Sequence, residues 1–380
     1  MKPIRILQVV TVMNRGGLET MLMNYYRKMD REHIQFDFMV HRTERGDYDD
    51  EIERFGGRIF RMPSIRPGNY RMYFKTLDDF FLTHQDYKVV HSHINENSSF
   101  VLRAAKNACV PIRIAHSHLS DLGLDYKLPF RLFARSYLKD NTNHFFACSK
   151  KAGQWLFGKN IVHSKKFNVL NNAVNAEEFV FNSTIRSQIR KQLGIQSELV
   201  IGHIGRFNKQ KNHEFLIDIF KSVCNRQPNA LLLLVGEGLL RESIEKKVKS
   251  LGLEPNVKFL GLRKDIPQLM QAMDLFLFPS LFEGLPVVLV EAQAAGLKCV
   301  VSNTITSETD VTRRIEFVSL DKSSEEWADI ILSSTYEHTN TLEQIRKSGY
   351  DTTTMAQWLS EYYSTFHSIS NNKMNILGGF

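Results

Sequence analysis

The chain has 380 residues, 43% of them hydrophobic, which is too long for one ordinary domain and supplies apolar material for two cores. Lysine and arginine number 49 against 41 aspartate and glutamate, a formal charge of +8 that suits nucleic acid, an anionic membrane surface or an anionic small ligand without choosing among them. The cysteines Cys109, Cys148, Cys224 and Cys299 are far apart with no C-x-x-C pair, so neither a zinc site nor a disulfide framework is indicated and a reducing cytoplasm suits them; no apolar run approaches the ~20 residues that span a bilayer.

Residues 4–11 read as a buried parallel strand and not as a signal peptide, because Gln8 and Asn14 interrupt the apolar run and no small-residue cleavage site follows. Asn14-Arg15-Gly16-Gly17 then turns into a helix with apolar residues at helical spacing through Tyr26. Adjacent glycines let backbone amides approach a phosphate, and they serve a plain helix start equally well. The G-x-G-x-x-G spacing of dinucleotide domains is absent. Strands are expected over 36–40 and 58–62, with a helix over 49–55 between them. His91-Ser92-His93 ends one further strand and His116-Ser117-His118 another. Ligands of open α/β sheets gather at the carboxyl ends of strands, so these histidines stand at the functional edge. Two H-x-H repeats suggest a metal pair, but no carboxylate or cysteine is placed as a further ligand, and polar edge packing is the other reading.

Residues 122–139 are helical in pattern, with Lys127, Arg131, Arg135 and Lys139 at every fourth position and apolar residues between them. Such a helix can lie on anionic lipid with its basic face to the headgroups, or present an ordinary solvated face. Strands follow over 143–148 and 166–175. The polar stretch 177–197, with a short helical piece over 185–193, reads as the link between domains.

A second α/β pattern begins with a strand over 199–205, the basic loop Arg206 to Asn212, and a helix over 213–223 capped by Asn212. Cations beside a helix N-terminus suit a diphosphate. Strands over 230–235 and 257–260 end in Gly236-Glu237-Gly238 and Gly261-Leu262-Arg263-Lys264-Asp265. The buried run Leu275-Phe276-Leu277-Phe278 then turns at Pro279-Ser280 and Glu283-Gly284 and places Pro286 as a first helical residue. The first amides of that helix lack partners and its dipole is positive there, so an anion is the natural ligand. Glu283 in the loop and Glu291 about a turn and a half into the helix can accept hydroxyl protons from a sugar whose phosphate rests between them. That combination suggests a nucleotide-sugar, against an ordinary strand-to-helix turn with two solvated acids. Near the end, Met355, Trp358, Leu359, Tyr362, Tyr363 and Phe366 form a helical core stripe, and the tail from Ser370 reads as disordered.

The run from Pro279 to Gly296 resembles the P-S-x-x-E-G-L-P and E-A-x-A-x-G pattern of retaining glycosyltransferases of the fourth family, and Gly205 to Asn212 resembles its G-R-x-x-x-x-K-N segment. The resemblance extends over nearly the whole chain. It implies an α/β fold of the GT-B type, two Rossmann-like domains whose parallel sheets face each other across a cleft. The acceptor domain would cover 1–180, with a helix over 354–368 crossing back onto it, and the donor domain 195–350. It further implies that Arg206 and Lys211 clamp the diphosphate, that Gly16 and Gly17 face it, and that Glu283 and His118 contact the sugar, with His116 as the alternative histidine. Glu291 would hold the ribose. Leu285, Val287 and Val288 would line the donor, and Gly236 and Arg263 the nucleotide, Arg263 by stacking on the base. Asn172 and Asn175 depart from the family's I-x-N-G-V-D, standing where it has glycine and aspartate.

The implied reaction moves a sugar from a nucleotide-sugar, a UDP-sugar by expectation, to a saccharide or polyprenyl-linked acceptor in exopolysaccharide or capsule synthesis, in the cytoplasm or at the inner face of the cell membrane. The nucleotide-sugar is a substrate, no cofactor is expected, and no D-x-D motif for a metal is present. The rival readings are a nucleotide-sugar epimerase of the same architecture and a basic nucleic-acid-binding protein, although basic and aromatic residues are not interleaved as the latter requires.

Overall fold

The computed structural model describes residues 3–118, 128–196 and 198–377, the side chains of 366–377 excepted. The chain forms two units, the first from residues 1–173 and 352–380, the second from residues 174–351.

In the first unit the strands are β1 (Ile4–Val10), β2 (Ile34–Val40), β3 (Ile59–Arg61), β4 (Val89–Ser92), β5 (Ile112–Ser117), β6 (His144–Ala147) and β7 (Phe167–Val169). They pair in parallel in the order β3-β2-β1-β4-β5-β6-β7. Helices on both faces explain why β2 is buried along its whole length, Gln35 and Asp37 included. The second unit repeats the winding with β8 (Val200–Ile204), β9 (Leu231–Val235), β10 (Val257–Gly261), β11 (Leu275–Phe278), β12 (Lys298–Ser302) and β13 (Ile315–Val318), in the order β10-β9-β8-β11-β12-β13. In each sheet the chain moves outward from its first strand, then returns to pair on that strand's other side. The carboxyl ends of β1 and β4, and of β8 and β11, therefore diverge into a crevice where ligands of such sheets bind.

The boundary between units differs from the sequence expectation. Residues 177–197 are not a free link. The helices Ala176–Phe179 and Ser183–Gln192 pack within the second unit, where Arg186 and Arg190 bond Asp274 and the carbonyls of residues 271–273. Arg186 and Arg190 serve an ion-pair network there, while Glu177, Ser187 and Lys191 are exposed. The terminal helix Thr352–Leu377 belongs to the first unit, where Met355, Ala356, Leu359 and Tyr363 join a core with Tyr25 and Phe36. No glycine or proline interrupts residues 352–377, so the helix continues past Ser370, where a disordered tail was expected. The strand expected over 166–175 ends at Val169. Lys127 and the start of the basic helix expected over 122–139 lie outside the described residues; the helix there runs Leu128–Asn141.

Candidate functional site

Two loops meet at the switch point of the second unit. The first, Gly205–Asn212, follows β8; the second, Pro279–Pro286, follows β11. Asn212 adopts a left-handed backbone, φ 55°, that asparagine tolerates well, and the Asn208 side chain accepts from the Lys211 amide. The loops are stitched together by Leu281 N–H to the Gln210 carbonyl at 2.8 Å and by the Asn212 amide to the Pro279 carbonyl at 3.1 Å. This brings Lys211 and Glu283 into contact, Nζ to Oε1 at 2.7 Å, with only 15% and 7% of their side chains exposed. Gln210 donates to the other oxygen of Glu283 at 3.1 Å, and the Lys211 ammonium lies 4.5 Å from the Phe278 ring centre. Arg206, on the same loop, is exposed and makes no side-chain hydrogen bond among the described residues.

The helix after the second loop is Val287–Ala294, with Pro286 as its extended N-cap residue, one position earlier in role than expected. Pro286 brings no side-chain cap, and the amides of Val287 and Val288 have no backbone partner among the described residues. Leu285 and both valines are half-buried against the core. Glu291, on the same helix, is half-buried, and burial pushes its carboxyl up to about 7. Gly236, at the end of β9, has φ 140°, and a Cβ there would fall 2.1 Å from the Gly205 carbonyl oxygen. Its glycine identity thus serves the packing of the Arg206 loop against β9. Arg263 is exposed, and its guanidinium is held in a two-pronged pair by Asp265 at 2.8 and 2.6 Å, so stacking on a base would have to begin from that bonded position.

The first unit places Gly16 as the N-cap of the helix Gly17–Lys28, without a side-chain cap, and the space beside Gly17 is open. At the carboxyl ends of β4 and β5, His91, His93, His116 and His118 form one cluster with ring centres 4.0–5.2 Å apart. Burial lowers His91, His93 and His116 well below the ordinary histidine range and His118 to about 3, so all four are neutral near pH 7. His118 is half-buried while His116 is fully buried, which favours His118 as the residue that meets a ligand. By spacing alone, His91, His93 and His116 also fit a metal ion. Hydrogen bonds engage these rings, His93 Nε2 lying 2.8 Å from Gln8 Oε1 and His91 Nε2 3.2 Å from His116 Nδ1.

Of the basic residues expected on the helix Leu128–Asn141, Lys139 is exposed, whereas Arg131 and Arg135 turn to partners within the unit. Arg131 approaches Glu96 at 4.0 Å and is 18% exposed; Arg135 donates to the Leu156 carbonyl and lies over the Trp155 ring. The outer face carries Leu132, Phe133 and Tyr137, with Lys139 exposed beside them. Arginines, with long apolar stems and five donors, found partners inside the unit, and this left the aromatic residues outside.

Gln210 and Gln8 were not legible as site residues. Gln210 sits inside the basic run as one polar residue among many, and Gln8 inside a strand as an interruption. A cavity of about 790 Å³ lies at the amino ends of β8 and β11, away from these loops, where Arg186 and Arg190 are already bonded to Asp274.

The sequence profile of Glycosyltransferase Family 4 matches residues 15–178, and that of Glycosyl transferases group 1 matches residues 185–352. A Bacillus subtilis (strain 168) protein described as a glycosyltransferase, EpsF, is 38% identical over 336 residues, 86% of each chain. The UDP-Gal:alpha-D-GlcNAc-diphosphoundecaprenol alpha-1,3-galactosyltransferase of Escherichia coli is 26% identical over 79% of each chain. Among solved structures, Anabaena HepE in complex with UDP covers 100% of both chains with a TM-score of 0.67 at 22% identity, which places the fold as GT-B. These relatives do not favour the epimerase reading. The chain belongs to the group 1 glycosyl transferases with a family 4 amino-terminal half, and it is a glycosyltransferase.

Proposed function

We propose that the protein transfers a sugar from a UDP-sugar to a polyprenyl diphosphate-linked saccharide, with retention of anomeric configuration and without a metal ion. The observation that carries this reading is the Lys211–Glu283 pair at the switch point of the second unit, beside the uncapped amides of Val287 and Val288. Leaving of the nucleoside diphosphate builds negative charge on its outer phosphate. Lys211, the unpaired Arg206 and the two free amides supply fixed positive charge for it, the part a divalent cation plays elsewhere. Glu283, held from two sides by Lys211 and Gln210, keeps its carboxylate oriented toward the sugar hydroxyls. No group in this set is placed as an enzymic base, so the departing phosphate itself takes the acceptor's proton on the face it leaves, which retains configuration. His118, neutral at working pH, accepts a hydrogen bond from the sugar. Glu291 does the same for the ribose when ionised. The UDP donor and lipid-linked acceptor are supported by the E. coli relative's activity and by the UDP in HepE.

The acceptor saccharide is read into the first unit. At the carboxyl ends of its strands, a cavity of about 210 Å³ is lined by Thr11, His41, Arg42, Ser64, Tyr73 and Asn97. Among the described residues no helix is long and apolar enough to cross a membrane. Contact with the lipid surface carrying the acceptor is assigned to Leu132, Phe133, Tyr137 and Lys139, in place of the arginines.

The test is product stereochemistry. With a UDP-α-sugar and a short-chain polyprenyl diphosphate saccharide, the anomeric proton coupling of the product should report an α-linkage, with turnover unchanged by EDTA. A β-linked product, or turnover abolished by EDTA and restored by magnesium, overturns the reading.

A further inference from the structure

Gln8 is a glutamine with 0% exposure in a strand whose other residues, Arg5 excepted, are apolar, and its two amide atoms face different partners. Its Oε1 lies 2.8 Å from His93 Nε2, and its Nε2 lies 3.3 Å from the Tyr363 hydroxyl. An amide oxygen only accepts, so His93 carries its hydrogen on Nε2. Burial keeps His93 neutral, which leaves its Nδ1 bare. That Nδ1 is 3.0 Å from His118 Nε2, so His118 is the donor in this contact. His118 is neutral as well, and its own Nδ1 is then a bare acceptor.

The same logic runs along the other arm. The Tyr363 hydroxyl, receiving from Gln8, gives its proton to His91 Nδ1 at 2.7 Å. His91 Nε2 then donates to His116 Nδ1 at 3.2 Å, and His116 Nε2 carries a hydrogen with no partner among the described residues. One amide orientation thus dictates the tautomers of His91, His93, His116 and His118. Rotating that amide by half a turn reverses all of them, because each neutral ring has one donor and one acceptor.

We propose that Gln8 is a positioning residue of the transfer reaction: through His93 it holds His118 in the Nε2–H tautomer, so that His118 presents Nδ1 as an acceptor for a sugar hydroxyl. The contact between His118 and the sugar rests on the proposed function; the tautomer assignment does not. A hydroxyl donates to this nitrogen at no cost in proton transfer, whereas the opposite tautomer would set N–H against a hydroxyl that is then obliged to accept. The Asn95 side chain, which accepts from the His118 amide at 3.0 Å, fixes the backbone from which the ring projects.

Spectra of the full chain labelled with 15N-histidine report which ring nitrogen bears hydrogen, and the unmodified protein suffices for the main question. The expected result is the Nε2–H form at both His93 and His118. The Nδ1–H form at both overturns the proposal. Gln8→Leu should mix the tautomers of His118 and lower kcat about tenfold, the loss of one hydrogen bond in the transition state, with KM for the UDP-sugar nearly unchanged. A folded Gln8→Leu with full kcat overturns the positioning role. Unchanged turnover in His118→Ala would instead remove the sugar contact on which that role rests, while the spectra still decide the tautomers.

Discussion

Lys211 and Glu283, the pair on which the proposed function rests, also hold two loops of the fold together. The carboxylate is 7% exposed and faces two donors, Lys211 and Gln210, so removing the lysine leaves a buried charge with one neutral partner. Lys211→Ala should therefore lower stability on the order of 2–4 kcal/mol, while Glu283→Gln, which keeps the shape and one accepting oxygen but sets an NH2 against the other donor, should cost less, about 1–2 kcal/mol. Both should abolish transfer. Pairing Lys211→Met with Glu283→Gln should recover much of the stability and none of the activity. Urea midpoints check this, and equal losses from Lys211→Ala and Glu283→Gln would contradict the pairing. Glu291 has the opposite electrostatic situation. Its carboxyl is raised from 4.5 to about 7 by burial, so the folded state binds this proton more tightly than the unfolded chain. Its contribution to stability is therefore greatest below pH 4.5, falls as pH rises to about 7, and is level above. The loss is on the order of 2 kcal/mol, allowing for partial solvent contact. Thermal melts of Glu291→Gln should match the unmodified protein near pH 4.5 and exceed it at pH 8. In the role proposed for Glu291 the ionised form accepts from a ribose, so affinity for a UDP-sugar should rise between pH 6 and 8 in the unmodified protein and stay flat in the variant.

Among the elements, strands were easier to read than helix faces. The run Leu275–Phe278 is buried at every position, and each such side chain contributes roughly 1.5–3 kcal/mol, so composition alone marks a central strand. The helix Leu128–Asn141 shows the converse. A repeat of basic residues at every fourth position marks one stripe of a helix, but which stripe faces outward depends on what lies beneath it. Glu96 and the Leu156 carbonyl draw Arg131 and Arg135 inward, and Leu132, Phe133 and Tyr137 are left exposed. Flotation on vesicles containing anionic lipid should consequently be weakened more by Phe133→Ser with Tyr137→Ser than by Arg131→Gln with Arg135→Gln. The reverse order would restore the basic face as the lipid contact. Between strands and helices lie the loops, where Pro279 to Gly284 and Arg206 to Asn212 were recognisable from residue type and order. Their stitching through Gln210 was not, because a backbone carbonyl bonded by Leu281 has no sequence marker.

At the scale of the molecule, the same doubly wound order occurs twice, and each copy opens a crevice where its outward and returning halves part. Alternating apolar runs and helical periods, with turn residues between them, determined from sequence alone that there would be two α/β units, and the order of residues at strand ends singled out the two loops that the structure brings into contact. Those features are local, written in spacing of a few residues, and need no knowledge of what packs against them. The boundary at Ala173 and Val174, the inward turn of the arginines, the Lys211–Glu283 bond and the histidine cluster were decided by the tertiary structure. Each joins residues tens to hundreds of positions apart: Tyr363 reaches His91 across 272 positions. Hydrogen bonds and ion pairs of that kind depend on distance in space and on exclusion of water, and neither is expressed in the order of residues along the chain.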